Sequence, residues 1–220
     1  MWKQILLLVS LLLFGPPALA RAPVVLVLGD SLSAGYGIDV NAGWVNLLQQ
    51  RLRQQGYPHQ LVNASISGDT TSGGRARLPR ALALHHPDLV IIELGANDGL
   101  RGLSLTSMRA NLAAMIKLAR AQGAQVLLIG MYLPSNYGPA YTEKFHAVYR
   151  DLARELNIPL VPFLLEGVAL KPDLMQADGL HPRAVAQARV LDNVWPLLTP
   201  LLRGQKTVTH ANAVPGVVTH

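Results

Sequence analysis

Residues 24–28 read Val-Val-Leu-Val-Leu. An unbroken run of apolar, mostly β-branched residues is the pattern of a strand buried on both faces, and such a strand needs layers of chain above and below it. The pattern returns along the chain. Residues 60–64, 88–94, 125–129 and 158–163 read as four further strands. Between them lie helical patterns at 44–55, 73–85, 105–122 and 139–156, and Pro182 opens a last helix running to about Leu202. Gly56, Gly123 and Pro87 sit where helices should stop. Five strands alternating with helices predict a parallel sheet covered on both sides, and right-handed crossovers make it a doubly wound α/β domain.

In such sheets ligands bind beyond the carboxyl ends of the strands. Polar and glycine-rich turns stand there: Gly29-Asp30-Ser31 after the first strand, Ser67-Gly68-Asp69 after the second, Gly95-Ala96-Asn97-Asp98 after the third. A hydroxyl at Ser31 can face the crevice with its own N–H near a helix start, a position suited to a developing anion. The same segment also fits an N-cap serine or a phosphate-cradling loop. It is not the Gly-x-Ser-x-Gly elbow of α/β-hydrolases, because Ser33 stands where that motif has its second glycine.

Asp178-Gly179-Leu180-His181-Pro182 supplies an imidazole and a carboxylate three residues apart. In a turn, Asp178 can reach Nδ1 of His181 and leave Nε2 free for a serine. A helix N-terminus with a surface histidine fits the segment equally well. Asn97 can donate an uncharged amide to an oxyanion, and Gly68, lacking a Cβ, can bring a backbone N–H close. Taken alone, each is a turn residue. Asp30, Asp69 and Asp98 read as acceptors of loop N–H groups that hold Ser31 and Asn97 in place. The remaining histidines, His59, His85, His86, His146, His210 and His220, read as surface residues. No third histidine or carboxylate cluster stands at ligand spacing, so no metal is expected.

Taken in order, Gly29-Asp30-Ser31-Leu32-Ser33, Gly68, Gly95-x-Asn97-Asp98 and Asp178-x-x-His181 resemble the four blocks of the SGNH (GDSL) hydrolases. The longer strings at 29–37, 67–74 and 178–182 are similar to the periplasmic thioesterase I/arylesterase/lysophospholipase branch. The resemblance covers residues 23–202. It implies a flavodoxin-like three-layer α/β/α sandwich with strand order 2-1-3-4-5. It also implies Ser31 as nucleophile, His181 as base, Asp178 as its orienter, and the Ser31 and Gly68 amides with the Asn97 side chain as the oxyanion hole. The activity implied is hydrolysis of acyl esters and thioesters such as acyl-CoA, aryl esters and lysophospholipids, without a cofactor. A carbohydrate O-deacetylase of the same family and a flavodoxin-like phosphate- or nucleotide-binding module are the alternatives.

The ends of the chain carry a different message. Lys3, the apolar run 5–14, Gly15-Pro16-Pro17 and Ala18-Leu19-Ala20 read as a cleaved signal peptide over residues 1–20, which predicts a periplasmic or secreted protein. The apolar run is short of the roughly 20 residues of a membrane span, and no stable insertion is expected. The hydrolase domain is expected at 21–203, with 204–220 as a flexible tail. The chain has no cysteine, which excludes disulfides, thiol nucleophiles and Cys-ligated metal. Its net charge of +6 is scattered apart from Arg75, Arg77 and Arg80, with no interleaved aromatics, so nucleic-acid binding is not expected. A monomer acting on a small molecule is the simplest partner assignment. Leu100, Leu103 and Leu105 after the third strand, and Met131, Tyr132, Leu133 and Tyr137 after the fourth, are expected to line an acyl groove.

Overall fold

The computed structural model describes residues 21–204 of the 220. The expected signal peptide and the tail beyond residue 204 lie outside the described residues. Five strands, β1 (Val24–Gly29), β2 (Gln60–Asn63), β3 (Leu89–Glu93), β4 (Gln125–Ile129) and β5 (Leu160–Val161), form one sheet in the order β2-β1-β3-β4-β5. Every pairing is parallel, with Val25 beside Leu89 and Val90 beside Val126. Every residue of β1 and β3 is buried, as their unbroken apolar runs require. β2 lies at the edge and is half exposed.

The long helices are α2 (Trp44–Gln54), α3 (Thr71–His85), α5 (Leu105–Ala121), α6 (Pro139–Leu156) and α7 (Gln187–Arg203); two short ones, α1 (Ser31–Ala34) and α4 (Ala96–Leu100), follow β1 and β3 directly. α2 packs on α7, while α3 packs on α5 and α5 on α6, covering the sheet as two helical layers. Leu26, Leu28, Leu48, Leu78, Ile91, Ile92 and Phe145 are among the fully buried residues of the resulting core. At roughly 1.5–3 kcal/mol per fully buried large apolar side chain, this core supplies the main drive for folding.

Two elements depart from the expected boundaries. The fifth strand shrinks from 158–163 to two residues, because Pro159 and Pro162 flank it and offer no N–H to the ladder. The last helix begins at Gln187, not at Pro182. Pro182 is instead paired antiparallel with Met175, and a 3₁₀ turn at Ala184–Ala186 separates it from α7.

The order of the strands decides where a site can form. The chain leaves β1 toward β2 on one side and returns to β3 on the other, so the crossovers diverge between β1 and β3. That divergence opens a crevice at the carboxyl ends of the two strands, where α1 and α4 begin.

Candidate active site

Ser31 is the first residue of α1. Asp30 caps that helix by accepting the Leu32 amide on Oδ1 at 3.0 Å, and Gly35 ends it in the left-handed conformation. Gly29, the last residue of β1, permits the tight exit. A Cβ there stands 2.7 Å from Ser33 Cβ and 2.8 Å from Glu93 Oε2, so no larger residue fits without displacement.

His181 arrives from the far end of the sequence. Its Nε2 lies 2.8 Å from Ser31 Oγ and its Nδ1 lies 2.7 Å from Asp178 Oδ2. Asp178 Oδ1 accepts the Leu180 and His181 amides at 2.9 and 3.0 Å, the local bonding of an Asx turn. Desolvation pushes the Asp178 carboxyl up, but the His181 hydrogen bond and the two amides together outweigh it and hold the group at about 2. Asp178 is therefore an anion across the whole neutral range, which favours a proton on Nδ1 and leaves Nε2 as an acceptor for the serine hydroxyl.

Gly68 and Asn97 border the same crevice. Gly68 has φ +79°, a conformation that favours glycine. Arg101 Nη2 donates to the Gly68 carbonyl at 2.8 Å. Among the described residues neither the Ser31 nor the Gly68 amide has an acceptor. Asn97 differs, because its Nδ2 lies 2.9 Å from the Asp69 carbonyl and 3.1 Å from Asp30 Oδ2, so both amide protons are engaged. Sequence reading places Asp30, Asp69 and Asp98 as loop acceptors, and all three are. Asp98 holds Thr71 through both its N–H and its hydroxyl, at 2.8 and 2.6 Å, rather than Asn97 itself.

Two site neighbours escaped the sequence reading. Glu93 looks like one more strand residue, yet it is fully buried and bonded to Asp30 and Ser33, on either side of Ser31. Its Oε2 accepts the Ser33 hydroxyl at 2.7 Å and the Asp30 amide at 3.3 Å, while its Oε1 has no hydrogen-bond partner among the described residues. Burial, and then the neighbouring Asp30, push the Glu93 carboxyl well above the usual carboxylate range, against the weaker pull of its hydrogen bonds. Burial likewise lifts Asp30 to about 6, against the Leu32 amide, His181 and Asn97. A charged residue inside an otherwise apolar buried strand was the available signal. The second neighbour is Arg77, read as part of a basic cluster. Its guanidinium bonds Asp69 at 2.7 Å, the Gly29 carbonyl at 3.1 Å and the Ala64 carbonyl, tying the ends of β1 and β2 to the Gly68 loop.

From Ser31 a groove of about 760 Å³ runs along the rim. Leu100, Met131, Tyr132 and Leu133 line it as expected, together with Phe163 and Leu170. Leu103, Leu105 and Tyr137 do not. Tyr137 instead donates its hydroxyl to the Leu100 carbonyl at 2.8 Å, bracing the wall from behind. Two of the histidines expected at the surface are buried, His59 and His146. The His146 ring stacks on Tyr132 at 3.7 Å, where burial lowers its pKa. His85 and His86 are partly or fully exposed, and His210 and His220 lie outside the described residues. Among the described residues, no cluster of His, Asp and Glu side chains could hold a metal ion.

Known proteins resemble this chain in sequence and in fold. Residues 27–189 match the model of the GDSL-like Lipase/Acylhydrolase family. The chain is 56% identical over 183 residues to Esterase TesA of Pseudomonas aeruginosa, covering 83% of this chain and 91% of that protein. It is 45% identical over 183 residues to Thioesterase 1/protease 1/lysophospholipase L1 of Escherichia coli, covering 83% of this chain and 86% of that one. A crystal structure of TesA superposes with a TM-score of 0.80 at 56% identity, covering 81% of this chain and 99% of that one. Crevice, blocks and relatives converge, and the chain belongs to the GDSL-like lipase/acylhydrolase family.

Proposed function

We propose that this protein hydrolyses acyl esters and thioesters by two-step acyl transfer, with Ser31 as nucleophile, His181 as general base and Asp178 as the group that orients it. Membership of the acylhydrolase family carries the reaction class. The single observation that best supports the residue roles is the unbroken line Asp178 Oδ2, His181, Ser31 Oγ, with contacts of 2.7 and 2.8 Å at the mouth of an apolar groove.

In this reading Ser31 Oγ attacks the substrate carbonyl while its proton passes to His181 Nε2. The imidazolium that forms is matched by the ionised Asp178. The negative charge on the former carbonyl oxygen is taken up by the open amides of Ser31 and Gly68. Asn97 joins them by exchanging its 3.1 Å bond to Asp30, the longer of its two, for the new anion. His181 then gives its proton to the leaving alcohol or thiolate. Water, losing its proton to the same nitrogen, attacks the acyl-enzyme, releases the acid and restores Ser31.

The groove favours an aliphatic or aromatic acyl group. Leu100, Met131, Tyr132, Leu133, Phe163 and Leu170 offer apolar surface, and each buried methylene contributes about 0.8 kcal/mol to binding. A carbohydrate O-deacetylase calls for a polar, open cleft, and this lining counts against it. Thioester, aryl ester and lysophospholipid substrates fit the site and the relatives' names, thioesterase, arylesterase and lysophospholipase, and acyl-CoA is a small-molecule thioester of that kind. All its groups come from one chain, in keeping with a monomer. The leader-like residues 1–20 support export to the periplasm or beyond. Among the described residues, no helix is long and apolar enough to cross a membrane.

A fluorophosphonate probe, with a panel of nitrophenyl esters and acyl-CoAs, tests the proposal. Wild type should be labelled and active, and Ser31→Ala should lose both. Labelling or turnover that survives Ser31→Ala removes Ser31 as the nucleophile.

A further inference from the structure

His181 and Ser31 stand 150 residues apart, and their 2.8 Å contact has to be kept by something other than the chain between them. Residues 176–181 belong to no helix or strand. Backbone bonds close this loop on itself: Gln176 N to the His181 carbonyl at 2.8 Å, Gly179 N to the Gln176 carbonyl at 3.0 Å, and Arg183 N to the Leu174 carbonyl at 2.7 Å. They fix its shape but do not tie it to the nucleophile side of the crevice.

Two side-chain amides do. Gln176 Nε2 donates to the Tyr36 carbonyl at 2.8 Å and to the Pro182 carbonyl at 3.3 Å. Gln187 Nε2 donates to the same Pro182 carbonyl at 3.4 Å, while its Oε1 accepts the Trp44 amide at 3.0 Å. Tyr36 belongs to the nucleophile turn, since its own amide donates to the Ser31 carbonyl at 3.1 Å, and Trp44 is the first residue of α2. The two glutamines thus span both ends of the segment 36–44 and converge on the carbonyl of the residue next to His181. A neutral primary amide is the one side-chain group that donates twice and accepts at once, and Gln187, 1% exposed, uses both ends of it. The Tyr36 ring lies 4.6 Å from the His181 ring, so fixing the Tyr36 carbonyl also seats that ring beside the imidazole. The approach is close enough that a Cβ at Gly37 collides with Gln176 Oε1.

We propose that Gln176 and Gln187 form a brace that holds the His181 imidazole on the Ser31 hydroxyl, as positioning residues for acyl transfer. The proposal rests on the reading of Ser31 as nucleophile and His181 as base. Neither glutamine lines up with the reacting atoms; each acts through Pro182 and the nucleophile turn. Because a displacement of about 1 Å at reacting groups costs on the order of 10²-fold in rate, loosening this strap lowers turnover without removing a chemical group.

The test compares Gln176→Met, Gln187→Met and Ser31→Ala in the full chain, with active sites counted by fluorophosphonate labelling. Methionine keeps the length of glutamine and lacks its N–H donors. For Gln176→Met, kcat per labelled site on a nitrophenyl ester should fall about 10-fold or more, with KM within about twofold of wild type. The low-field proton resonance of the His181 Nδ1–H should broaden, which a loss confined to fold stability does not produce. Gln187→Met should repeat the kcat loss, with a lower Tm because the residue is buried. Wild-type kcat per labelled site in Gln176→Met, or a loss accompanied by an unchanged low-field resonance, overturns the brace. Full activity in Ser31→Ala overturns the underlying assignment of Ser31, and the brace with it.

Discussion

At the scale of single residues, the groups that matter are those whose hydrogen bonds leave something over. The Ser31 and Gly68 amides are open, whereas Asn97 has both protons engaged by Asp69 and Asp30. An oxyanion competes for one of them, because hydrogen bonds to a charged acceptor are roughly twice as strong as those to a neutral one such as the Asp69 carbonyl. Asn97→Ala is therefore expected to cost about 10²–10³ in kcat, roughly 3–4 kcal/mol of transition-state stabilisation, with KM changed little. Steady-state kinetics on a short-chain nitrophenyl ester check this, and wild-type kcat removes Asn97 from the oxyanion hole. Ser31 and Asn97 were legible as candidates because each closely follows a buried strand, and Asp178 and His181 because they stand three residues apart in one turn. That Asn97 is shared with Asp30 was not, because a hydrogen bond between residues 67 positions apart has no local signature.

At the scale of elements, the strand-to-turn exits do the aiming. β1 ends at Gly29 because Ser33 and Glu93 occupy the space a side chain needs there. Gly29→Ala adds a methyl group at 2.7–2.8 Å from both, so α1 must shift and carry Ser31 with it. Overpacking of this kind costs typically 1–3 kcal/mol. We expect a Tm lowered by several degrees together with a kcat loss of at least about 10-fold. Measuring both settles the point, since a Tm loss with unchanged kcat shows that α1 absorbs the methyl group without moving the hydroxyl. The elements themselves were readable where one pattern dominated, as in β1, β3, α5 and α6. The α7 start falls later than expected because Pro182, though a good first helical residue, is held in an isolated antiparallel bridge. Its pairing with Met175 decided the matter, and that contact is invisible in the local sequence.

At the scale of the whole molecule, the fold pays for its candidate site with two buried carboxyls, Asp30 and Glu93, and pH reports the cost. Asp30 is lifted from 3.8 to about 6, so the folded state holds its proton more tightly than the unfolded chain does. Stability from this group falls as pH rises from about 4 through 6, and Glu93, raised for the same reason, extends the fall upward. His146, with a lowered pKa, acts oppositely: its contribution is lost as pH falls below its unfolded value of 6.5. Asp178, lowered to about 2, matters only below pH 4. Comparing wild type with Glu93→Gln cancels the last two. Denaturant titrations from pH 4 to 8 should give the variant a flatter loss of stability toward high pH, and parallel curves refute the assignment. The sequence by itself determined the α/β class, the parallel sheet, the strand ends that carry the site, and the family blocks. These follow from local hydrophobic period and turn chemistry, which neighbouring residues impose on one another. Tertiary structure alone decided that Glu93 reaches Ser33, that Arg77 reaches the Gly29 carbonyl, and that Gln176 and Gln187 reach Tyr36 and Trp44. Those contacts join residues dozens of positions apart, so their energy depends on how the layers pack and leaves no pattern along the chain.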